Sequence, residues 1–451
     1  MSPTALDCLV TCACGLFLVA IYQQRTRTTL LPLPPGPPRW PLVGSILSIP
    51  RGVQLPVIFT QWGNKYGDVS YVKLLGQDII LLNSYQAATE LLVEKSAIYS
   101  SRPPQIMAGE LVGLGKATAF LPYGEQIRMT RKLLHEAMSP EVMSDLYPLQ
   151  EQEMVKFVRV LLKSPNQLKK HIYQMIGSSL LKLIYGYNVK GVDDPLIVLA
   201  NNAIDIFLAT TEPGAWAVDT IPFLRYIPWA PFKSKAKEWR KTVNELADRP
   251  MKFVYDRLNM GDGIPCLVAS WIEREVKTSI QGKEEIDYES LVKWTGASAI
   301  LAGMDTTAAA LNRFFALMVT HPEVQKRAQD EITRVIGSDR LPTYADRESL
   351  PYIEAVYKEI LRWNPIVPIG LPHLSTATCD DEFRGMRIPK GSIVFGIAQN
   401  MHHDPQTYHD PHIFNPERFM ASSGNVERNP EDTIFGFGRR HVPGVYLSAY
   451  I

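Results

Sequence analysis

The stretch FGFGRRHVPGVYLSAYI, Phe435 to Ile451, frames the reading of the whole chain. Phe435, Gly438 and Arg440 have the spacing of a loop that carries a metal-binding thiolate two residues beyond the arginine, yet that place holds Val442. Valine has no lone pair for a metal. His441 lies beside it and imidazole is a common ligand, but a ligand moved by one residue projects its side chain elsewhere. No metal ligand is therefore assigned: the aligned position is Val442, with His441 the weaker substitute.

Charged residues upstream bear on the same loop. In KEILRW, Glu359 and Arg362 stand three apart, so on a helix their side chains meet on one face. FNPERF, Phe414 to Phe419, adds Arg418. An isolated Glu-x-x-Arg is usually a solvated pair that contributes little; its weight comes from what surrounds it. Further back, AGMDTT, Ala302 to Thr307, sets small residues beside an acid and two alcohols. Small side chains leave room above a flat cofactor, and an acid next to an alcohol can order water and pass protons. The competing reading is a helix whose threonines bond back to carbonyls one turn earlier.

The helix holding AGMDTT is expected from about Ser290 to Thr320, since no proline interrupts the sequence between Pro265 and Pro322. From Glu141 to Val319 the period is mostly helical, broken near residues 213 to 231 and at Pro265. VSYVKLL and DIILLN flank Gly76-Gln77 and read as strand, turn, strand; GMRIPKGSIVFG reads as further short strands.

The N-terminus is of another kind. CLVTCACGLFLVAIYQQ, Cys8 to Gln24, runs 17 residues without a charge, about 26 Å as helix and at the short end of a membrane span. Asp7 precedes it while Arg25 and Arg27 follow, which places the body on the cytosolic side. A buried core helix is the alternative. Next comes PLPPGPPRWPLVG, Pro32 to Gly44, whose prolines forbid helix and favour a stiff extended spacer. In the break before residue 233, Trp216, Phe223, Leu224, Trp229 and Phe232 precede Lys233, Lys235, Lys237 and Arg240, a pattern that suits equally a loop dipping into lipid and an ordinary buried turn followed by a solvated helix.

The chain has 451 residues, and Lys plus Arg at 47 against Asp plus Glu at 46 leave a net charge of +1, so no global field favours nucleic acid. Five cysteines, Cys8, Cys12, Cys14, Cys266 and Cys379, form no paired framework and are expected as thiols.

Taken in order, the proline-rich segment, AGMDTT, Glu359-x-x-Arg362, PERF and FGFGRR resemble the cytochrome P450 superfamily, the haem-thiolate monooxygenases, over residues 30 to 447. PGAWAVDTIPFLRYIPWAPFK and RGMRIPKGSIVFGIAQNMHHDPQTY look like its fungal microsomal branch of secondary metabolism. The resemblance implies a mainly α fold with a small β region: residues 1–28 a membrane anchor with its basic flank, 29–52 a hinge, and 53–451 a single haem-thiolate monooxygenase-type domain. It implies that Glu359, Arg362 and Arg418 form a buried structural triad, and that Asp305 and Thr306 are catalytic in oxygen activation. Arg131, His373, Phe435 and Arg440 would bind haem, the two arginines and the histidine through its propionates. His402-His403-Asp404 falls where the family has a structural motif and is not read as a metal site.

Three departures stand beside the likeness. Val442 replaces the thiolate, Ile127 replaces the family's tryptophan four residues before Arg131, and the sequence stops at Ile451, so a truncated C-terminus is expected. The implied function is a single-pass, membrane-bound monooxygenase of the endoplasmic reticulum with its catalytic domain in the cytosol. It would use haem, O2 and electrons from an NADPH-dependent reductase to insert one oxygen atom into a hydrophobic small molecule, in secondary metabolism or xenobiotic oxidation. Residues 103 to 120, those near Ile300 and Ile366 to Ile369 would line the pocket. The alternative is a non-catalytic relative, or truncated gene product, that keeps the fold without the thiolate.

Overall fold

The structure is a computed structural model that describes residue 15 and residues 31–50, 52–139, 147–263, 265–279, 287–421, 424 and 426–442. The expected anchor over residues 8 to 24 lies outside these apart from Gly15, as does the chain from residue 443 on. Among the described residues no helix is long and apolar enough to cross a membrane. Contacts divide the chain into two compact units: one of residues up to Ser101, Ile369–Met401 and Phe437–Arg439, and a second of Arg102–Pro368, His402–Gly436 and Arg440 onward.

The first unit is built on a sheet. β1 (Val69–Leu74) and β2 (Gln77–Leu82) pair antiparallel around Leu75 and Gly76, where positive φ of 46° and 91° closes the tight turn. β3 (His373–Leu374) and β6 (Ile393–Gly396) complete the order β1-β2-β6-β3, with β2 and β6 parallel; β4 (Asp381–Phe383) and β5 (Met386–Ile388) form a separate hairpin. Alternate residues separate the two buried faces. Val69, Tyr71, Ile80 and Leu82 pack with Leu91, Leu92 and Tyr99, whereas Val72, Ile79 and Leu81 meet Ile58, Phe59 and Trp62 of helix α1 (Leu55–Tyr66).

The proline-rich segment belongs to this unit and does not stand off as a free spacer. Tyr71 N donates to Pro35 O at 2.9 Å, Arg387 N to Pro32 O at 2.8 Å and Ser45 N to Lys73 O at 2.6 Å. A Cβ on Gly36 would lie 1.9 Å from Tyr71 O, so glycine alone permits the approach. The edge strand β1 thus has its outer backbone groups partly covered.

The second unit is helical: α2 (Glu125–Ala137), α3 (Tyr147–Lys163), α4 (Leu168–Tyr185), α5 (Pro195–Thr211), α6 (Pro231–Asn259), α7 (Leu267–Ser279), α8 (Tyr288–Thr320), α9 (Pro322–Ile336) and α10 (Pro351–Trp363). The 33-residue α8 matches the expected long helix. Asp287 caps it by accepting from Ser290 N at 2.9 Å, and Pro322 prevents its continuation. Its apolar residues Leu291, Ile300 and Met304 join one core with Ile176, Leu180 and Ile184 of α4.

Glycine lets α8 approach α4. Added Cβ atoms would lie 2.6 Å from Tyr185 Oη at Gly296 and 2.9 Å from Leu180 Cδ1 at Gly303. Gly303 therefore serves helix packing, and the expectation that it leaves room for a cofactor passes to Ala302 alone. Gly296→Ala should destabilise the protein by about 1–3 kcal/mol through overpacking. A chemical-denaturation midpoint equal to the parent's would contradict the close approach.

Candidate functional site

Helix α10 begins at Pro351, and the buried Glu331 carboxylate accepts from Tyr352 N at 3.0 Å and from Ile353 N at 3.0 Å, satisfying its first free amides. At its other end Glu359 and Arg362 are both 0% exposed. Glu359 takes a bidentate pair from Arg362, Nε at 2.7 Å and Nη2 at 2.8 Å, and also accepts from Asn415 N at 2.7 Å. Arg418 Nε approaches the same carboxylate at 3.2 Å. The expected three residues thus meet.

The remaining donors point outward into irregular chain. Arg362 Nη1 reaches His402 O and Pro411 O, each at 2.8 Å, while Arg418 Nη1 reaches His409 O at 2.7 Å. A fourth charge, Glu427, accepts from Arg418 Nη1 at 2.6 Å and balances the second guanidinium. Nothing in the spacing announced Glu427; it sits in the polar run NVERNPED, which reads as solvated loop.

The loop opened by Phe435 is held by backbone bonds, Gly436 N to Thr433 O at 3.0 Å and Val442 N to Phe435 O at 2.8 Å. Within the first unit, Gly438 has φ of 54° and a Cβ there would lie 2.3 Å from Leu92 O. In the second unit Arg440 Nη2 donates to Leu121 O at 2.5 Å, and Arg131 Nη1, from α2, donates to His441 O at 2.7 Å. Burial lowers the pKa of Arg131; it brings Arg440 down to about 10, assisted by Arg131. Arg102 falls to about 9, first through burial and then through Arg440. Arg102 was not anticipated, because SSRPP carries no sequence sign of burial.

The tryptophan replaced by Ile127 leaves no polar group there: Ile127 is buried. His373 lies in the first unit, also buried, with Nδ1 bonded to Tyr99 O at 2.7 Å; since a carbonyl only accepts, Nδ1 carries the proton. Phe435 has its ring centroid 6.4 Å from that of His441, and Val442 is exposed.

On α8 the buried Ile300 and Met304 flank Ala302, which is exposed in mid-helix. Thr306 Oγ1 donates back to Ala302 O at 2.7 Å, the competing expectation for this threonine. Asp305 accepts from Tyr173 Oη of α4 at 2.9 Å, another partner absent from the sequence reading. His402 is fully buried, with Nδ1 3.2 Å from Arg362 O and Nε2 against Thr433 Oγ1, so it belongs to the structural framework.

A buried Glu-Arg-Arg network, a glycine-bent loop ending on a buried arginine, and a long helix with an acid and alcohol at mid-length are the features of the haem-dependent oxygenase class. The family model for cytochrome P450 matches residues 34–449. The chain is 41% identical to cytochrome P450 monooxygenase 208 of Postia placenta, over 96% of this chain and 83% of that protein. It is 39% identical to cytochrome P450 monooxygenase COX2 of Coprinopsis cinerea (96% and 82%), and 41% to cytochrome P450 monooxygenase claR of Ampulloclitocybe clavipes (96% and 79%). The chain belongs to the cytochrome P450 monooxygenase family.

Removing one member of a buried ion network leaves an uncompensated charge, so Glu359→Gln should cost about 3–5 kcal/mol. A thermal midpoint within a degree or so of the parent's would contradict this. His402 supplies a pH signature: burial, then Arg362, hold its pKa near 3, against about 6.5 in an unfolded chain. The unfolded state then binds the extra proton, so stability should fall as pH drops from about 6.5 toward 3. Urea unfolding across that range should give a shallower slope for His402→Gln than for the parent.

Proposed function

We propose that this chain is built as a membrane-bound, haem-dependent monooxygenase acting on a hydrophobic small molecule, in secondary metabolism or xenobiotic oxidation. The observation that carries the cofactor reading is that Arg102, Arg131 and Arg440 of one unit are linked through Arg440: burial lowers the pKa of all three, Arg440 lowers Arg102 further and Arg131 lowers Arg440 further. A pair of carboxylates placed among them reverses the repulsion, and the two propionates of haem supply such a pair. Phe435 is kept as a packing residue at the loop, whereas His373 belongs to the first unit and spends its Nδ1 proton on Tyr99 O.

Haem, when bound in this family, supplies the activation of O2 with electrons delivered by an NADPH-dependent reductase. The residues around it have separate tasks. Thr306 commits its hydroxyl proton to Ala302 O, which leaves its oxygen an acceptor on the exposed face of α8. Tyr173 fixes the Asp305 carboxylate by donating to Oδ1, so the acid is oriented for proton exchange. In the second unit Met107, Val112 and Leu114, from the segment expected to line the pocket, are packed in the core, and that segment is tied to α8 by Thr118 N donating to Ser298 Oγ at 3.0 Å. Ile300 is packed in the core and Ala302 takes its place as the open position.

The propionate side fits haem and the iron side does not. Val442 stands two residues after Arg440, where the family pattern needs a thiolate, and no step through the iron is derived. This observation favours the second reading, a relative that retains the haem scaffold without thiolate chemistry. We place the body on the cytosolic face of the endoplasmic reticulum behind a single span, supported by the uncharged run from Cys8 to Gln24 and by Arg25 and Arg27. In the second unit Ile221, Phe223, Tyr226 and Trp229 are exposed and suit lipid contact. Trp216 is instead structural: its Nε1 donates to Ala209 O at 2.8 Å and its ring meets Trp239 edge-on.

The reduced, carbon monoxide-treated chain should lack the thiolate-type difference spectrum, and Val442→Cys should restore it. A full thiolate-type spectrum from the unaltered chain would refute the placement of Val442 at the iron. Independently, Arg440→Ala should weaken haem retention roughly ten- to a hundredfold, the worth of one charged hydrogen bond. Unchanged retention in a haem-transfer assay to apomyoglobin would remove the arginine cluster as the propionate site.

A further inference from the structure

We infer that a cleft at the start of α7, within the second unit, is a binding site for a small monovalent anion of halide size. Tyr185 from the end of α4, Phe253, Arg257 and Leu258 from α6, and Cys266 and Ala269 at the start of α7 line it. It measures about 180 Å3 counted out to its mouth, so its inner end takes an ion or a molecule of very few atoms. Two polar atoms in its lining have nothing to bond. The Tyr185 side chain is 1% exposed, and its hydroxyl has no hydrogen-bond partner among the described residues. On one side that oxygen is backed by α8 at Gly296, where a Cβ would lie 2.6 Å away and where glycine offers no side-chain acceptor. The buried Nε of Arg257 also has no partner among the described residues, although the same guanidinium pairs through Nη2 with Asp262. A buried donor left unmatched costs more than an ordinary hydrogen bond returns.

The chemistry of the lining selects the ligand. Tyr185 Oη, Arg257 Nε and Cys266 Sγ each carry a proton to donate, whereas Phe253, Leu258 and Ala269 bring no polar side-chain atom and no carboxylate lines the cleft. Cys266 Sγ also accepts from Ala269 N at 3.5 Å and so caps α7, a helix of 13 residues. The cleft therefore lies at the positive end of that helix, beside the amides of its first turn. Charge nearby has the same sign: Lys182 acts on the Cys266 sulfur, and the acid Asp262 is largely exposed and cancelled by Arg257. Donors converging on a helix N-terminus call for an acceptor with negative charge. A water in the same place would bring two protons of its own among side chains that donate. An anion brings none, and the space limits it to a small one.

The test follows the thermal midpoint of the full-length chain in non-ionic detergent while sodium chloride replaces sodium gluconate, whose anion is too bulky for the cleft, at constant ionic strength. The parent's midpoint should rise and saturate with chloride, as a ligand of the native state requires. Tyr185→Phe should move that response to roughly ten- to a hundredfold higher chloride, the effect of one hydrogen bond to a charged group. In gluconate alone its midpoint should equal or exceed the parent's, because an unmatched buried hydroxyl has gone. Arg257→Met, which keeps the stem and removes Nε, should weaken the chloride response independently. In crystals grown with bromide, an anomalous peak should lie between Tyr185 Oη and Arg257 Nε. A parent midpoint with no saturable dependence on chloride would refute the site. If Tyr185→Phe lowers the midpoint equally in both salts, a water holds the hydroxyl and the anion assignment is overturned. If bromide occupies the cleft while Tyr185→Phe and Arg257→Met respond to chloride as the parent does, the ion is adventitious and the proposal fails.

Discussion

A single carboxylate, Glu359, organises the irregular half of the second unit. It is excluded from water and faces two guanidiniums, and those guanidiniums spend their other donors on carbonyls at His402, His409, Pro411 and Ile413. Segments with no helix or strand of their own thereby have their backbone acceptors satisfied inside the protein. The segment from His402 to Arg418 is held by this network rather than by a hydrophobic core alone. Glu427 closes the charge balance at two acids against two bases. Without it, the second arginine would be a buried cation in excess.

The arginine cluster obeys the opposite rule. Arg102, Arg131 and Arg440 approach each other at the cost of repulsion, which burial intensifies. Proteins place like charges together where an oppositely charged ligand is to be held, and two propionates suit the arrangement. The two networks thus differ in charge, one neutral overall and structural, the other cationic, which suits the propionate role proposed for it. Residue 442 belongs to neither, and the valine there has no lone pair to offer a metal.

Much of this was legible because it rests on local spacing. Glu359 and Arg362 lie three apart on one helix, α8 is bounded by prolines, and β1 and β2 are apolar runs parted by Gly76, so each follows from the chain's own period. What was illegible is what tertiary contact decides. Glu427 joins Arg418 across a loop, Tyr173 reaches Asp305 across 132 positions, and Arg102 is buried by packing that SSRPP does not signal. Gly303 misled for the same reason: a glycine beside Ala302 suggests open space, while its missing Cβ is matched to Leu180. The proline-rich segment also misled, since stiffness says nothing of whether an edge strand lies alongside to receive its carbonyls.

The central claim is that this chain keeps the haem-holding scaffold of its family while offering the iron no thiolate. Iron K-edge X-ray absorption on the haem-loaded, full-length chain reads the iron's nearest neighbours directly. The account predicts nitrogen or oxygen neighbours with no sulfur in the first coordination shell, and a sulfur scatterer at bonding distance would contradict it.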